Sequence, residues 1–193
     1  MDTTTSGTIT ASIDTDETVT ELKTLTGTTH AYTIVIAAGD ATSSSADDLN
    51  TINEKTTAAI NASAITALTS DTIDNIKTLL TAGNDTDQFT DTSFASLTGV
   101  TVSDETLDGS KLADAIDQAN SATGDTSVVF TISAANTIEG SEANFTALLT
   151  DDGNNQIDID DQDISVSGTI SVDNANLLDT ATCLLYTSDA ADE

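Results

Sequence analysis

Thr72-Ile-Asp-Asn-Ile-Lys-Thr-Leu-Leu-Thr-Ala-Gly83 is the stretch that decides the fold. Its large apolar residues recur at spacings of three and four: Ile73, Ile76, Leu79 and Leu80. This is the period of a helix with one buried face. Ser70 can cap the start, because its hydroxyl can accept from a free amide of the first turn, and Gly83 can end the helix in a left-handed conformation. The segment therefore predicts a short amphipathic helix.

The same pattern returns elsewhere in the chain. Thr18-Val-Thr-Glu-Leu-Lys-Thr-Leu-Thr-Gly27 aligns with it, and weaker echoes lie at Leu148–Gly153 and Leu177–Leu178. Alternating apolar and polar residues between these helices predict half-buried strands. The strand candidates are Ala31–Ala37, Thr126–Ala134, and the pairs Ile157 with Ile159, Ile164 with Val166, and Ile170 with Val172. Helices this short are unstable alone, so each must pack on a neighbour.

These elements predict an α/β fold in which short strands alternate with short helices as a degenerate repeat array. The array is either solenoid-like or a parallel sheet with helices on one side. The repeat region covers residues 1–182, with units beginning near residues 8, 31, 60, 97, 126 and 157. A β-sandwich of adhesin type is the alternative, since threonine-rich strands and acidic loops suit it equally.

The charge excludes several classes of protein. The 193 residues carry 33 Asp and Glu against 4 Lys and Arg, a formal net charge of −29. Four cations cannot line a nucleic-acid groove, and no apolar run is long enough to span a bilayer. Such a charge is typical of disorder, but 37% of the residues are hydrophobic and they are patterned, which favours a folded chain.

The last eleven residues, Cys183–Glu193, differ in style from the rest and contain the one cysteine. The sequence CLLYTSDAADE resembles the translation of a transposase-end adapter used in preparing sequencing libraries. We therefore expect residues 183–193 to be an artefact and the natural sequence to depart from this one near Thr182. Without them the net charge becomes −26 and Cys183 says nothing about redox compartment.

Residues 151–163 form the most acidic loop, with six Asp and two Asn in thirteen residues. Calcium takes six to eight oxygen ligands, which carboxylates close in sequence can supply. The EF-hand register fails, because Thr150 would stand at the first ligand and Asn155 at the glycine position. We still predict a calcium site here, with Asp ligands only: Asp151, Asp152, Asp158, Asp160, Asp161 and Asp163.

Catalytic residues are scarce. His30 is the one histidine, and it is expected at a solvated strand edge rather than in a metal site. Paired carboxylates could hydrolyse glycosides, but among 33 acids some pair always lies close. No convergent polar set is visible, so we predict that the chain is not an enzyme and has no catalytic residue.

Degenerate strand–helix units, phrases such as SGTISVDNANLLD, and the abundance of Thr and Asp resemble one family type. These are very long repetitive cell-surface or secreted bacterial proteins of the RTX-type calcium-dependent adhesin style, although the glycine-rich calcium nonapeptide is absent. The resemblance implies a structural or adhesive extracellular segment stabilised by calcium. The alternatives are a surface module that binds carbohydrate or protein, and a non-catalytic part of a larger secreted enzyme. No nucleic-acid partner and no membrane insertion are expected.

Overall fold

The computed structural model describes residues 7–124, 127–132, 137–160 and 162–182. Asp161 and the suspected adapter residues 183–193 lie outside the described residues. The described part contains eight strands and six α-helices. In chain order they are β1 (Thr10–Ser12), α1 (Val19–Leu22), β2 (Ala31–Thr33), α2 (Ala46–Asn53), β3 (Ala67–Asp71), α3 (Ile73–Gly83), β4 (Gly99–Val102), β5 (Thr106–Asp108), α4 (Gly109–Thr123), β6 (Val129–Ile132), β7 (Thr137–Gly140), α5 (Glu142–Gly153), β8 (Asp163–Val166) and α6 (Val172–Ala181).

The strands form three small sheets. β1 pairs with β2, β4 lies between β3 and β6, and β7 lies between β5 and β8. Every strand pair in the described part of the chain is parallel, and no sheet closes. The predicted α/β class with parallel strands is confirmed. Sandwich sheets are antiparallel, so these pairings do not favour the sandwich alternative.

The helix predicted from Thr72 to Gly83 is α3. Its apolar stripe is buried: Ile73, Ile76, Leu79 and Leu80 are each at most 3% exposed. The predicted cap is wrong, because Ser70 lies in β3 and the hydroxyl of Thr72 accepts from the backbone N–H of Asn75. β3 continues to Asp71, so Thr72, whose backbone is extended, is the residue directly before α3 and its hydroxyl caps the helix.

Gly83 also differs from its prediction. It is the last residue of α3, and it is not among the left-handed glycines of the described chain. Its lack of a side chain makes room for Phe94, since a Cβ at Gly83 would lie 2.7 Å from Cδ2 of that buried ring. Gly27, by contrast, has a φ of +93°, a conformation that favours glycine.

Three expected strands are reduced or missing. Of Ala31–Ala37, Ala31–Thr33 forms β2 and Val35 makes a single parallel bridge with Asn61. Ile157 makes a single parallel bridge with Phe130, and residues 158–160 are not part of a strand. Ile170 is irregular, and Val172 begins α6 because the hydroxyl of Ser171 accepts from the N–H of Asn174 and caps that helix. The alternation of Ile170 and Val172 therefore predicted a strand at the place where the capped helix α6 begins.

Each helix packs against the next one along the chain, from α1 to α6. One continuous core joins these helices to the strands. Among the described residues, no buried side-chain nitrogen or oxygen lacks a hydrogen-bond partner. The described part of the chain therefore leaves no buried side-chain polar atom unsatisfied, including those of its buried residues Ser44, Thr56, Asp71, Ser93, Gln156, Gln162 and Thr182.

Candidate functional site

The acidic loop begins where α5 ends. Asn155 adopts a left-handed backbone with a φ of 59°, and this reverses the chain direction. The N–H of Gln156 then donates to the carbonyl of Asp151 at 2.9 Å, and the carbonyl of Gln156 accepts from the N–H of Phe130 at 2.7 Å. These bonds hold the loop against β6, so its position is fixed at both ends of the turn.

Alternation places two aspartates on the open side of this loop. Ile157 and Ile159 are 3% and 0% exposed, whereas Asp158 and Asp160 are exposed. The N–H of Asp160 donates to Oδ1 of Asp158 at 3.0 Å. Both carboxylates face Asp152 of α5, and one oxygen from each of the three residues lies within 4.8 Å of the others. The structure therefore brings together three of the six predicted ligands.

The three carboxylates line a groove of about 610 Å³ beside β6. Its other walls are formed by the strand and by two amide side chains of the loop, Asn155 and Gln162. Carboxylate and amide oxygens are the ligand types that calcium takes in proteins. The groove thus holds a donor set of the right chemistry for a hard divalent cation.

The electrostatics of the group centre on Asp152. Partial burial raises the pKa of this carboxyl above its ordinary value, and the charges of Asp160 and Asp158 raise it further. A backbone hydrogen bond from Ile159 acts in the opposite direction and lowers it. Since the charges of Asp160 and Asp158 disfavour the charged form of Asp152, a bound cation would relieve that repulsion.

Of the other predicted ligands, Asp151 and Asp163 lie outside this group. Asp151 and Asp152 are consecutive residues of α5, so they point about 100° apart around the helix axis. Asp151 is close enough to Asp117 of α4 for the two charges to interact, and burial followed by that charge raises the pKa of Asp151 to about 6. Asp163 is exposed in β8 and is not part of the group, and Asp161 is outside the described residues.

His30 has a structural environment. Its Nδ1 accepts from the N–H of Ile9 at 3.1 Å, and its ring meets the ring of Tyr32 edge-on at 5.4 Å. A Cβ at Gly27 would lie 2.5 Å from the His30 ring. The imidazole is half-buried and supports the contact between β1 and β2. The expected position at a strand edge did not include these contacts.

A second group of aspartates joins successive parts of the chain, and the sequence reading missed it. An aspartate Oδ2 of a later segment accepts from a backbone N–H in the first turn of an earlier helix. Asp40 accepts from Val19, Asp71 from Asp47, and Asp104 from Ile73, at 3.1, 2.6 and 2.7 Å. Helix N-termini carry unpaired amides and a partial positive charge, so each carboxylate stabilises a neighbouring helix.

Asp71 shows this arrangement most fully. It is 9% exposed, and besides the N–H of Asp47 it accepts from the N–H of Thr72 at 2.7 Å and from the side chain of Asn75 at 2.9 Å. Three donors from two helices therefore surround one buried carboxylate. The spacing between partners is 24 residues for Asp47 and Asp71, too long for a local motif to reveal.

Side chains also link the helices to each other or to the segments that follow them. Lys77 of α3 pairs with Asp114 of α4 at 2.7 Å, and Lys111 of α4 pairs with Asp74 of α3 at 2.6 Å. Amides make the same kind of link: Asn53 with Gln88, Asn84 with Gln118, and Asn120 with Gln156. The polar residues are thus used mainly to join one segment to the next.

Comparison with protein-family models, curated proteins and solved structures finds no match to this chain. In the described part of the chain, no helix has the length and apolar character needed to cross a bilayer. Any function assigned to the molecule therefore rests on its own residues.

Proposed function

We propose that this chain is a structural or adhesive segment of an acidic extracellular repeat protein. Strand–helix units stack as a solenoid-like array, and calcium binds at the acidic loop. Each unit contacts the unit before it and the unit after it. The charge of −29 keeps water and counter-ions at the outer surface and holds such a segment soluble in salt.

The single observation that supports this proposal most strongly is the set of aspartates that cap helices of the preceding unit. Asp40, Asp71 and Asp104 each make this contact across 21 to 31 residues. A contact that recurs with one unit's spacing is expected where the same supersecondary unit stacks on copies of itself. It also assigns a structural role to three of the 33 acidic residues.

Substitution of Asp71 tests the stacking. Asp71→Ala leaves three donors without their acceptor, which costs about 2–3 kcal/mol when the site is buried. In a stacked array the loss spreads mainly to neighbouring units. We expect amide hydrogen exchange to accelerate in α2 and α3 while β8 and α6 keep their protection.

Asp74→Ala is the matched control, because Asp74 lies on the same helix but pairs at the exposed surface with Lys111. It should change exchange little, since exposed ion pairs contribute under about 1 kcal/mol. Equal acceleration at α2 and α6 in Asp71→Ala would show one globally cooperative unit and contradict the array.

Calcium binding is supported by a separate observation, the convergence of Asp152, Asp158 and Asp160 in one groove. A site of about 1 mM dissociation constant would stabilise the folded chain by about 1.4 kcal/mol in about 10 mM calcium. We therefore expect the melting temperature and compactness of the protein to rise in calcium relative to chelator at matched ionic strength.

Two variants with equal charge change separate site binding from general screening. Asp160→Asn removes one of the three converging carboxylates, whereas Asp163→Asn removes an exposed carboxylate outside the group. The calcium-dependent rise should be lost in Asp160→Asn and kept in Asp163→Asn. A rise of equal size in both variants, or none in the parent chain, would refute the calcium site.

A further inference from the structure

The last strand and helix present an apolar surface that has no neighbour among the described residues. We call it the C-terminal face: the outer edge of β8 together with the groove between β8 and α6. The groove has a volume of about 410 Å³. Its apolar walls are Ile164, Val166, Ile170, Ala175 and Leu178.

Paired residues across one sheet show what this face lacks. Leu107 of β5, Ile138 of β7 and Ile164 of β8 stand opposite one another in register. Leu107 and Ile138 are fully buried, whereas Ile164 is half-exposed. In this register position the apolar side chain is buried on β5 and β7, which are each followed by another strand, and is partly exposed on β8.

The backbone of β8 is open in the same way. β8 pairs with β7 on one side and has no partner on the other among the described residues. Parallel sheets are normally covered, and an unpaired edge is a template for another strand. The β8 edge and the apolar groove lie side by side, as a strand followed by a helix would require.

The start of α6 fits the same pattern. Val19 and Ile73 are the first residues of α1 and α3, and each donates its N–H to an aspartate of the following segment. Val172 is the first residue of α6 and is 76% exposed. A following segment with an aspartate at the corresponding place would reach the N–H of Val172.

We propose that the C-terminal face is the docking surface for a further strand–helix unit of the same type, covalently joined after α6. Its strand pairs in parallel with β8, its helix packs on α6, and a carboxylate before its helix accepts from Val172. This inference rests on the proposed stacking of units and continues the contacts that β7 and α5 already make with β8 and α6.

The path of the chain and its charge favour this occupant over a second copy of the molecule. The chain leaves α5 at Gly153 and returns to form β8, which pairs in parallel with β7. A further unit that repeated this connection after α6 would place its strand beside β8. A second copy that added its N-terminal end to this face would bring Asp14 and Glu17 toward Asp173 and Asp179 of α6. Repulsion between two chains of charge −29 opposes that contact.

Insertion of a further unit tests the proposal. A copy of residues 154–182 is inserted directly after Thr182 of the full chain, and in a second protein a copy of residues 125–153 is inserted there. At least one insert should slow amide exchange in β8 about tenfold or more, because its outer edge and side chains become covered. The measurement is hydrogen exchange of Asp163–Val166, read by mass spectrometry or NMR.

The control insert carries Asp at the two positions copied from Ile164 and Val166, so its strand cannot cover an apolar groove. Unchanged β8 exchange with both inserts, or equal protection by the control, overturns the proposal. Protection in the parent chain that grows with protein concentration also overturns it, since a second copy then occupies the face. Failure of stacking itself would appear separately, as uniform loss of protection in Asp71→Ala.

Discussion

The centre of the molecule and its C-terminal end are built from the same elements but differ in burial. In the centre, β7 lies between β5 and β8, and Ile138 is fully buried. At the end, β8 has one described neighbour, and Ile164 in the paired position is half-exposed. The two residues have the same side chain and the same register. Ile164 is therefore more exposed where β8 has no described neighbour on its outer side, although Leu107 on the other edge strand, β5, is fully buried.

The helices repeat this contrast. At matched distances from the helix caps, Leu148 of α5 is 0% and Leu178 of α6 is 7% exposed, and Phe145 of α5 is buried whereas Ala175 of α6 is exposed. If the units stack as proposed, the partly exposed side chains of the last unit would become fully buried when a further segment packs on them. Burial of apolar area supplies most of the favourable free energy, so each unit of such an array would depend on its neighbour for stability.

The largest expected effect tests this contrast directly. Ile138→Ala removes three carbons from a fully buried position, which costs about 3–4 kcal/mol by the lost transfer and the cavity left behind. Ile164→Ala removes the same atoms from a half-exposed position and should cost well under half as much. Urea unfolding of the two variants and the parent chain measures both values.

The same pair sharpens the comparison when a unit is inserted after Thr182. Ile164 is then covered as Ile138 is, so the cost of Ile164→Ala should approach that of Ile138→Ala. If the two substitutions lowered the free energy of unfolding equally in the parent chain, without any insert, Ile164 would already be fully covered. The C-terminal face would then have no apolar surface left for a further unit.

The sequence predicted the fold class because hydrophobic periodicity is local. The stripe from Ile73 to Leu80 and the alternation around Ile164 needed only a few residues to be recognised, and both are confirmed. Details that depend on distant residues were wrong. Gly83 is required by the ring of Phe94 rather than by a left-handed turn, and nothing near Gly83 in sequence shows that ring.

The candidate site was predicted in composition but not in geometry. Six aspartates in thirteen residues marked the loop, and the structure brings three of them together. Asp151 was assigned to the loop although the echo at Leu148–Gly153 indicated a helix there; α5 does continue to Gly153, which turns Asp151 toward α4 and away from Asp152. The capping aspartates were missed altogether, since their partners lie 21 to 31 residues away.

Two carboxylates, one near each end of α5, have pKa values shifted in opposite directions. Their contributions to stability therefore change with pH in opposite directions. Near the start, Glu142 accepts from the hydroxyl and N–H of Ser171 and from Asn174, which lowers its pKa below the ordinary value. Such a group stabilises the folded chain at neutral pH and loses that contribution as the pH falls through its folded pKa. Near the end, burial and the charge of Asp117 raise the pKa of Asp151 to about 6.

The smallest expected effect follows from Asp151. Its folded pKa of about 6 lies above the ordinary 3.8, so the folded chain binds this proton more tightly, and the contribution of Asp151 to stability rises as the pH falls from 7 toward 4. Asp151→Asn should therefore stabilise the protein most at pH 7.5 and progressively less toward pH 5, as measured by urea midpoints across that range. Glu142→Gln is the control of opposite sign, since it should cost most at neutral pH and least in acid. If Asp151→Asn gave the same shift at every pH, the carboxyl would titrate alike in the folded and unfolded chain, and the contact between α4 and α5 would not bury it.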